Sequence, residues 1–371
     1  MGKSRIDRRE FLRLAGIAGV GLIGAACAPA APPTPTPTKA PAAATAKPAG
    51  AASPAALKPE EVRAQLYEAA KKEGQLLLYT TGTSKEVDEY RKVFSKTYPG
   101  IEIKDYAGTA EQNIEKMLTE FKAGKVSADT VLFPLEQWVI ALREGLIEKW
   151  QGPEAANFPP DAVDPNGYYV VSEAVIHVIS YNTKSVPAAD APKNYEDLLK
   201  PVFKGKLGLE QSAISWFTQR MKIWGKDKAV DYAKRLMAQQ PKFVNGHTTL
   251  ADAVVSGEVW AAVNVYQHRV EQQKATGAPV NWVADEPTGV EPNSVGVPKG
   301  APHPNAGKLF TDWRLTTEGQ EVTLKALSRY PMRKGVAIPP ALQVKVAVPS
   351  LETAGEIQGN SKLFKEIFGL I

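Results

Sequence analysis

Residues 69–103, AAKKEGQLLLYTTGTSKEVDEYRKVFSKTYPGIEI, hold a complete strand–helix–strand unit. A helix with Val62, Leu66 and Ala69-Ala70 on one face leads in, and Gly74 stops it, because glycine takes the left-handed conformation that closes helices. Leu76 to Tyr79 is an unbroken apolar run, the pattern of a strand buried on both faces. Thr83 and Glu86 have the spacing of a capping box opening the next helix, whose inner face is Val87, Tyr90 and Phe94. Pro99-Gly100 ends it, and Ile101-Glu102-Ile103 alternates as a second strand. Strands joined by helices of this length build a mostly parallel sheet with helices on both faces.

The rhythm continues outward. Thr109 and Gln112 form a second capping box ahead of Ile114, Met117, Leu118 and Phe121. Ala128 to Phe133 reads as a strand, with a helix through Trp138 and Leu142 after it. Pro153 to Gly167 is irregular, and Tyr169 to Tyr181 is a long β-rich run able to cross between lobes. Strands follow at Lys206–Leu209, Phe243-Val244 and Val259–Val265, and helices from Ser212, from Asp227, after His247 and over Tyr266–Lys274. Ser294 to Pro298 reads as a return crossing. The roughly 310 residues from Pro59 onward exceed what one hydrophobic core supports, so two lobes are expected.

The amino-terminal segments carry an address. Lys3 to Arg13 is basic and holds Arg8-Arg9 just before Glu10-Phe11-Leu12. Leu14 to Ala26 is apolar and glycine-rich, too short for the roughly 20 residues of a membrane-spanning helix, and it ends at Cys27, the only cysteine. This order resembles a twin-arginine export signal (residues 1–27) joined to a lipoprotein cleavage site, with Gly24 as a departure from the usual site. The Gly19-Val20-Gly21-Leu22-Ile23-Gly24 spacing mimics a dinucleotide fingerprint but lacks the preceding strand and the later acidic residue. Residues 28–58 are almost all Ala, Pro, Thr and Lys, an extended tether. Removing the five Lys/Arg and two Asp/Glu of 1–27 and the three Lys of the tether leaves 37 basic and 38 acidic residues, so the chain's +5 becomes −1. Such a body has no electrostatic footprint for nucleic acid. With Cys27 lipidated, disulfides, zinc–cysteine sites and cysteine nucleophiles are excluded.

The 69–103 stretch resembles the start of type II extracellular solute-binding proteins of ABC importers, the branch with ferric-, thiamine-, polyamine- and phosphonate-binding members. YNTKSVPAADAPKNYEDLLKPVFKGKLGL (181–209) is similar to that family's crossover into its second lobe. GVPKGAPHPNAGKLFTDWRLTTEGQ (296–320) and RYPMRKGV (329–336) resemble its carboxy-terminal stretch. The resemblance covers about residues 60–340 and is specific for the family, not for a ligand. It implies an α/β, two-lobed type II periplasmic binding protein fold, each lobe a mixed, mostly parallel sheet flanked by helices, with two crossing hinge strands. Lobe 1 is expected to be residues 59–172 and 292–345, and lobe 2 residues 173–291 and 346–371. It implies a monomer, held at the outer membrane face through lipidated Cys27, passing a small-molecule or ion solute to an ABC permease and its ATPase. It implies no cofactor.

Open α/β sheets bind ligands at the carboxyl ends of their strands, beside helix N-termini. Four loops sit there. Thr81, Thr83 and Ser84 follow the first strand and offer hydroxyls and amides to an oxyanion or carboxylate, or simply cap a helix. Glu210 and Ser212 follow the Leu207–Leu209 strand, with Trp216 one turn on as ligand contact or core. Asn245, His247 and Thr248 form a polar turn, where His247 contacts ligand or caps a helix. Tyr266 and His268 close the fourth. Ferric-binding relatives carry two adjacent tyrosines near this place and a histidine in the first loop; here Tyr266 stands alone and the first loop holds Thr83-Ser84. Tyr266 and His268 are metal ligands only if the protein binds iron; otherwise Tyr266 contacts an organic or anionic solute or ends a core strand. His177 reads as a satisfied structural histidine, His303 as a helix cap, and Glu286-Pro287 as a cleft-facing carboxylate.

Three functions compete on these residues: a receptor for an ABC importer, ferric ion being one possible cargo; a solute-sensing lipoprotein; and a secreted enzyme. No G-x-S-x-G elbow, H-E-x-x-H helix or cysteine nucleophile supports an enzyme. No catalytic residue is expected.

Overall fold

The structure, a computed structural model, describes residues 57–370. Arg8, Arg9, Cys27 and the tether up to residue 56 lie outside the described residues. The first elements are α1 (Pro59–Glu73), β1 (Gln75–Thr80), α2 (Ser84–Thr97), β2 (Glu102–Ala107), α3 (Ala110–Lys122), β3 (Thr130–Pro134) and α4 (Leu135–Arg143). A long strand, β4 (Val170–Asn182), leads to β5 (Leu207–Glu210), α5 (Ile214–Trp224), α6 (Lys226–Ala238), β6 (Lys242–Val244), α7 (His247–Ser256), β7 (Ala261–Tyr266), α8 (Gln267–Ala275) and β8 (Val280–Val283). The chain returns on β9 (Thr288–Gly296) through α9 (Pro304–Leu315), α10 (Thr317–Lys325) and β10 (Tyr330–Pro331). It ends with β11 (Val346–Ala347) and α11 (Leu351–Phe368).

The local signals read in the sequence operate as expected. Gly74 closes α1 at φ 72°. The Thr83 hydroxyl accepts the Glu86 amide while the Glu86 carboxylate accepts the Thr83 amide at 2.7 Å, and Thr109 and Gln112 repeat the exchange. Val87, Tyr90 and Phe94 are buried. β1 pairs in parallel with β2 and β3, and β5 with β6 and β7.

The strand order β2-β1-β3-β9-β4-β7-β5-β6 makes the sheet mixed, because β9 is antiparallel to β3 and β4, and β4 to β7. β4 crosses: residues 170–176 pair with β9, and residues 177–182 pair with β7 and β8. The return crossing expected at Ser294–Pro298 is β9, which begins six residues earlier at Thr288. Its first half, TGVEP, has no clean alternation and hides the strand. Two hydrophobic cores flank the crossings, one around Phe94, Trp138, Phe310 and Trp313, the other around Trp216, Phe217, Tyr232 and Phe368. α11 packs against α5 and α6 and also against α4, so it touches both halves.

One buried ionic cluster ties the crossing to the first core. Glu173 on β4 is fully buried and accepts Arg314 Nη2 at 2.7 Å and Arg329 Nη1. Burial pushes its pKa up, but the two guanidiniums win and hold it below the usual carboxylate range. Arg329 also donates to Glu86 at 2.8 Å, which couples β4 to the first turn of α2. Stripping one partner from such a cluster costs about 3–5 kcal/mol, because the remaining charge stays buried.

Candidate functional site

The register of the crossing strands builds a cluster beside the carboxyl end of β7. His177 on β4 lies directly opposite Tyr266 on β7. Glu291 on β9 lies opposite Val175, two residues from His177, so its side chain emerges on the same face as that of His177. His247, at the start of α7, completes the group.

His177 Nε2 is 3.0 Å from Glu291 Oε1, and the Tyr266 hydroxyl donates to Glu291 Oε2 at 3.0 Å. His247 Nδ1 is 2.8 Å from the Asn264 carbonyl oxygen, and its Nε2 is 4.0 Å from Glu291 Oε1. One nitrogen or oxygen from each of His177, His247 and Glu291 falls within 4.8 Å of the others. The rings gather around Tyr266: His247 and Tyr266 stack at 4.1 Å between centroids, and His177 and His268 each lie 5.5 Å from Tyr266.

The electrostatics follow from burial in a group rich in acceptors. Burial works against ionised Glu291, but the bond and charge of His177, then His247 and Tyr266, hold it down at about 2. Burial and the neighbouring His177 lower His247, and burial and Arg329 lower His268 to about 4, so both are neutral near pH 7. Burial and Glu291 raise Tyr266 far above its ordinary value, so its phenol keeps the proton it gives to Glu291. Glu136, in the first turn of α4, approaches from the other lobe and accepts Ser215 Oγ at 3.4 Å. Burial and then the charge of Glu291 raise it to about 7.

Of the expected residues, the structure joins His247, Tyr266 and His268. Thr81, Thr83 and Ser84 have no hydrogen bond to this cluster: Thr83 is the α2 cap, and Ser84 donates to Asp105 at 2.7 Å. Glu210 is buried and braces two loops, accepting Ser212 N, Ser212 Oγ and Gly246 N, so its oxygens are already engaged. Ser212 and Asn245 line a separate cavity of about 370 Å³ against Phe364, Lys365 and Leu370. Thr248 is exposed on the first turn of α7. Trp216 is core, not a ligand contact: it is 2% exposed and its indole N–H donates to Tyr195 at 2.9 Å.

Four other readings need correction. His177 is buried but not satisfied, since its Nδ1 has no partner and its Nε2 faces Glu291. His247 makes no side-chain cap, because its ring turns to Asn264. The His303 ring caps nothing either; it bonds Asp129 at 2.9 Å, and Glu73 accepts the Asn305 and Ala306 amides of α9 instead. Glu286 is exposed and lines a surface groove with Tyr330 and Lys345, away from the cluster. The site residues not foreseen are Glu291, Glu136 and His177. Glu291 did leave one signal, a lone carboxylate in the otherwise uncharged stretch TGVEPNSVG.

The family model of bacterial extracellular solute-binding proteins matches residues 89–350. The chain belongs to that family. Iron uptake protein A2 of Synechocystis sp. is 25% identical over 287 residues, 70% of this chain and 81% of that protein. Among solved structures, iron-bound HitA from Pseudomonas aeruginosa superposes with a TM-score of 0.68 at 23% identity, covering 79% of this chain and 99% of HitA. AfuA from Actinobacillus pleuropneumoniae, with exogenous fructose-6-phosphate bound, gives 0.66 at 23% identity, covering 80% and 99%. The fold is therefore the two-lobed periplasmic binding protein fold, and the protein is the solute receptor of an ABC importer, working outside the cytoplasm. None of the helices among the described residues is long and apolar enough to cross a membrane.

Glu136 gives a pH test. Its raised folded-state pKa makes a stabilising contribution that is complete below 4.5 and lost as pH rises through about 7. The cargo-free receptor should lose stability over that range, and Glu136→Gln should remove that part of the loss. Parallel unfolding-versus-pH curves for the two proteins would refute the assignment.

Proposed function

We propose that the cargo is a first-row transition-metal cation, held by His177, His247 and Glu291 with the Tyr266 oxygen beside them and Glu136 closing from the opposite lobe. The observation that carries this reading is the pair His247 Nε2 and Glu291 Oε1. His247 gives its Nδ1 proton to Asn264, so neutral His247 presents a lone pair from Nε2. That lone pair faces an ionised carboxylate oxygen 4.0 Å away. A cation between two facing acceptors satisfies both at once, and metal–ligand bonds of about 2.0–2.2 Å fit one ion in that span.

The local charge supports the same sign. Glu291 and Glu136 converge, and the nearby cation Arg329 is already paired with Glu173 and Glu86. An anionic cargo such as a phosphorylated sugar would find no free charge on Arg329. Imidazole, carboxylate and phenolate oxygen together suit iron, and imidazole also suits zinc and copper. The names of HitA and iron uptake protein A2 agree with an iron cargo. Binding would displace the Tyr266 proton, so uptake by the receptor releases acid.

We infer also that the receptor is a monomer anchored at the outer face of the membrane through lipidated Cys27. The arginine pair, the short apolar stretch ending at Cys27 and the proline-rich tether support this. Cys27→Ala should move the protein from the membrane fraction to the soluble one; retention in the membrane would count against the anchor.

Titration with Fe³⁺ (as its nitrilotriacetate) and with Zn²⁺ should give one saturable site per chain. Glu291→Gln and His247→Ala should each weaken it about 100-fold or more. Wild-type protein that takes up neither ion, or unaltered affinity in both variants, would overturn the cation reading.

A further inference from the structure

The geometry points to Gln219 and Ser215, both on α5, as positioning residues that link the two cleft carboxylates, Glu291 on the crossing strand and Glu136 on the opposite lobe. The link is a chain of hydrogen bonds with one consistent set of donors. The Val290 amide, next to Glu291, donates to Gln219 Oε1 at 2.7 Å. Gln219 Nε2 donates to Ser215 Oγ at 3.1 Å. Ser215 Oγ, its lone pair so engaged, donates its own proton to Glu136 Oε1 at 3.4 Å. Flipping the Gln219 amide would set its NH2 against the Val290 N–H and break the chain at both ends.

Packing fixes Gln219 in this role. It is 3% exposed, and a Cβ at Gly289 would lie 2.4 Å from its Oε1. A side chain at Gly289 therefore has no room, and the backbone just before Glu291 sits tight against α5. One residue further along α5, Arg220 is fully buried and lies 3.6 Å from Asp285 in the segment entering β9. The same helix thus holds the chain at two points just ahead of Glu291, Asp285 before the crossing strand and Val290 on it.

The weak joint is across the cleft. A relaxed O–H···O bond spans about 2.7–2.8 Å, so Ser215 and Glu136 at 3.4 Å are not fully seated. A cation held by both carboxylates draws Glu136 toward the crossing strand and lets the lobe-2 hydroxyl seat on the lobe-1 carboxylate. Cargo capture and lobe closure are then the same event, transmitted through two side chains that do not touch the cargo. The functional weight of this relay rests on the cation reading; its geometry does not.

The experiment uses the cargo-free full chain, followed by small-angle scattering and by hydrogen exchange at the Val290 amide. Ser215→Ala should open the molecule, raising its radius of gyration. Ser215→Thr, which keeps the hydroxyl, should not. Gln219→Leu should open it and also speed Val290 exchange about 10-fold, whereas Gln219→Glu, which keeps the acceptor but loses the donor, should open it with Val290 still protected. A general packing role would not be rescued by threonine or split by glutamate. Scattering unchanged in Ser215→Ala, or Ser215→Thr as open as Ser215→Ala, would overturn the relay. With Fe³⁺ added, Ser215→Ala should release the ion about 10-fold faster. If wild type binds no Fe³⁺ while the cargo-free differences appear, the cation reading fails and the relay stands.

Discussion

Both lobes hang from one antiparallel ladder, β4 against β9. The ladder is the physical constraint from which the site follows. Its register sets Glu291 opposite Val175 and brings it to the face of His177, while the continuation of β4 sets His177 opposite Tyr266. A slip of one residue would send Glu291 to the other face of the sheet. The ladder is anchored accordingly. Glu173 lies between Arg314 and Arg329 near its middle, and Gln219 grips the backbone at Val290 at its end. Thr288 adds a bond to the His177 carbonyl at 2.8 Å.

The anchored strands deliver a concentration of acceptors that the protein alone leaves unbalanced. Glu291 is kept ionised by its histidine and tyrosine neighbours, Glu136 resists ionisation under its influence, and His247 turns a lone pair toward Glu291. Ionised Glu136 is costly in an empty cleft, and it becomes favourable when a positive ion enters. The cost is informative: a site shaped for an anion would show the opposite imbalance, donors without acceptors. A receptor that must bind and then release its cargo to a permease benefits from a partner whose removal restores the repulsion and reopens the lobes.

Much of the architecture was legible because it rests on local chemistry. The capping boxes at Thr83 and Thr109 and the stop at Gly74 operate within a few residues, and the strand–helix rhythm they punctuate identifies the fold class. Tyr266, His247 and His268 were also accessible, because strand ends in open α/β sheets are where ligands bind. The rest of the site depends on long-range register. His177 and Glu291 are 114 residues apart, and nothing local announces that they meet. His177 looked structural because it sits in an apolar strand, and burial alone does not distinguish a satisfied histidine from a poised one. For Trp216 the sequence left ligand contact and core both open, and the structure puts it in the core. Its place one turn after a binding loop was right for a ligand, but the same helix face is what the second core requires.

The central claim is that a metal cation sits between His247 and Glu291 and draws Glu136 toward it. Anomalous diffraction from crystals of receptor loaded with Fe³⁺ tests it most directly. The account predicts one strong anomalous peak within bonding distance of His247 Nε2 and a Glu291 carboxylate oxygen, with His177 and Tyr266 in contact and Ser215 closer to Glu136 than 3.4 Å. A peak elsewhere in the molecule, or no peak and an organic solute filling the cleft, would contradict it.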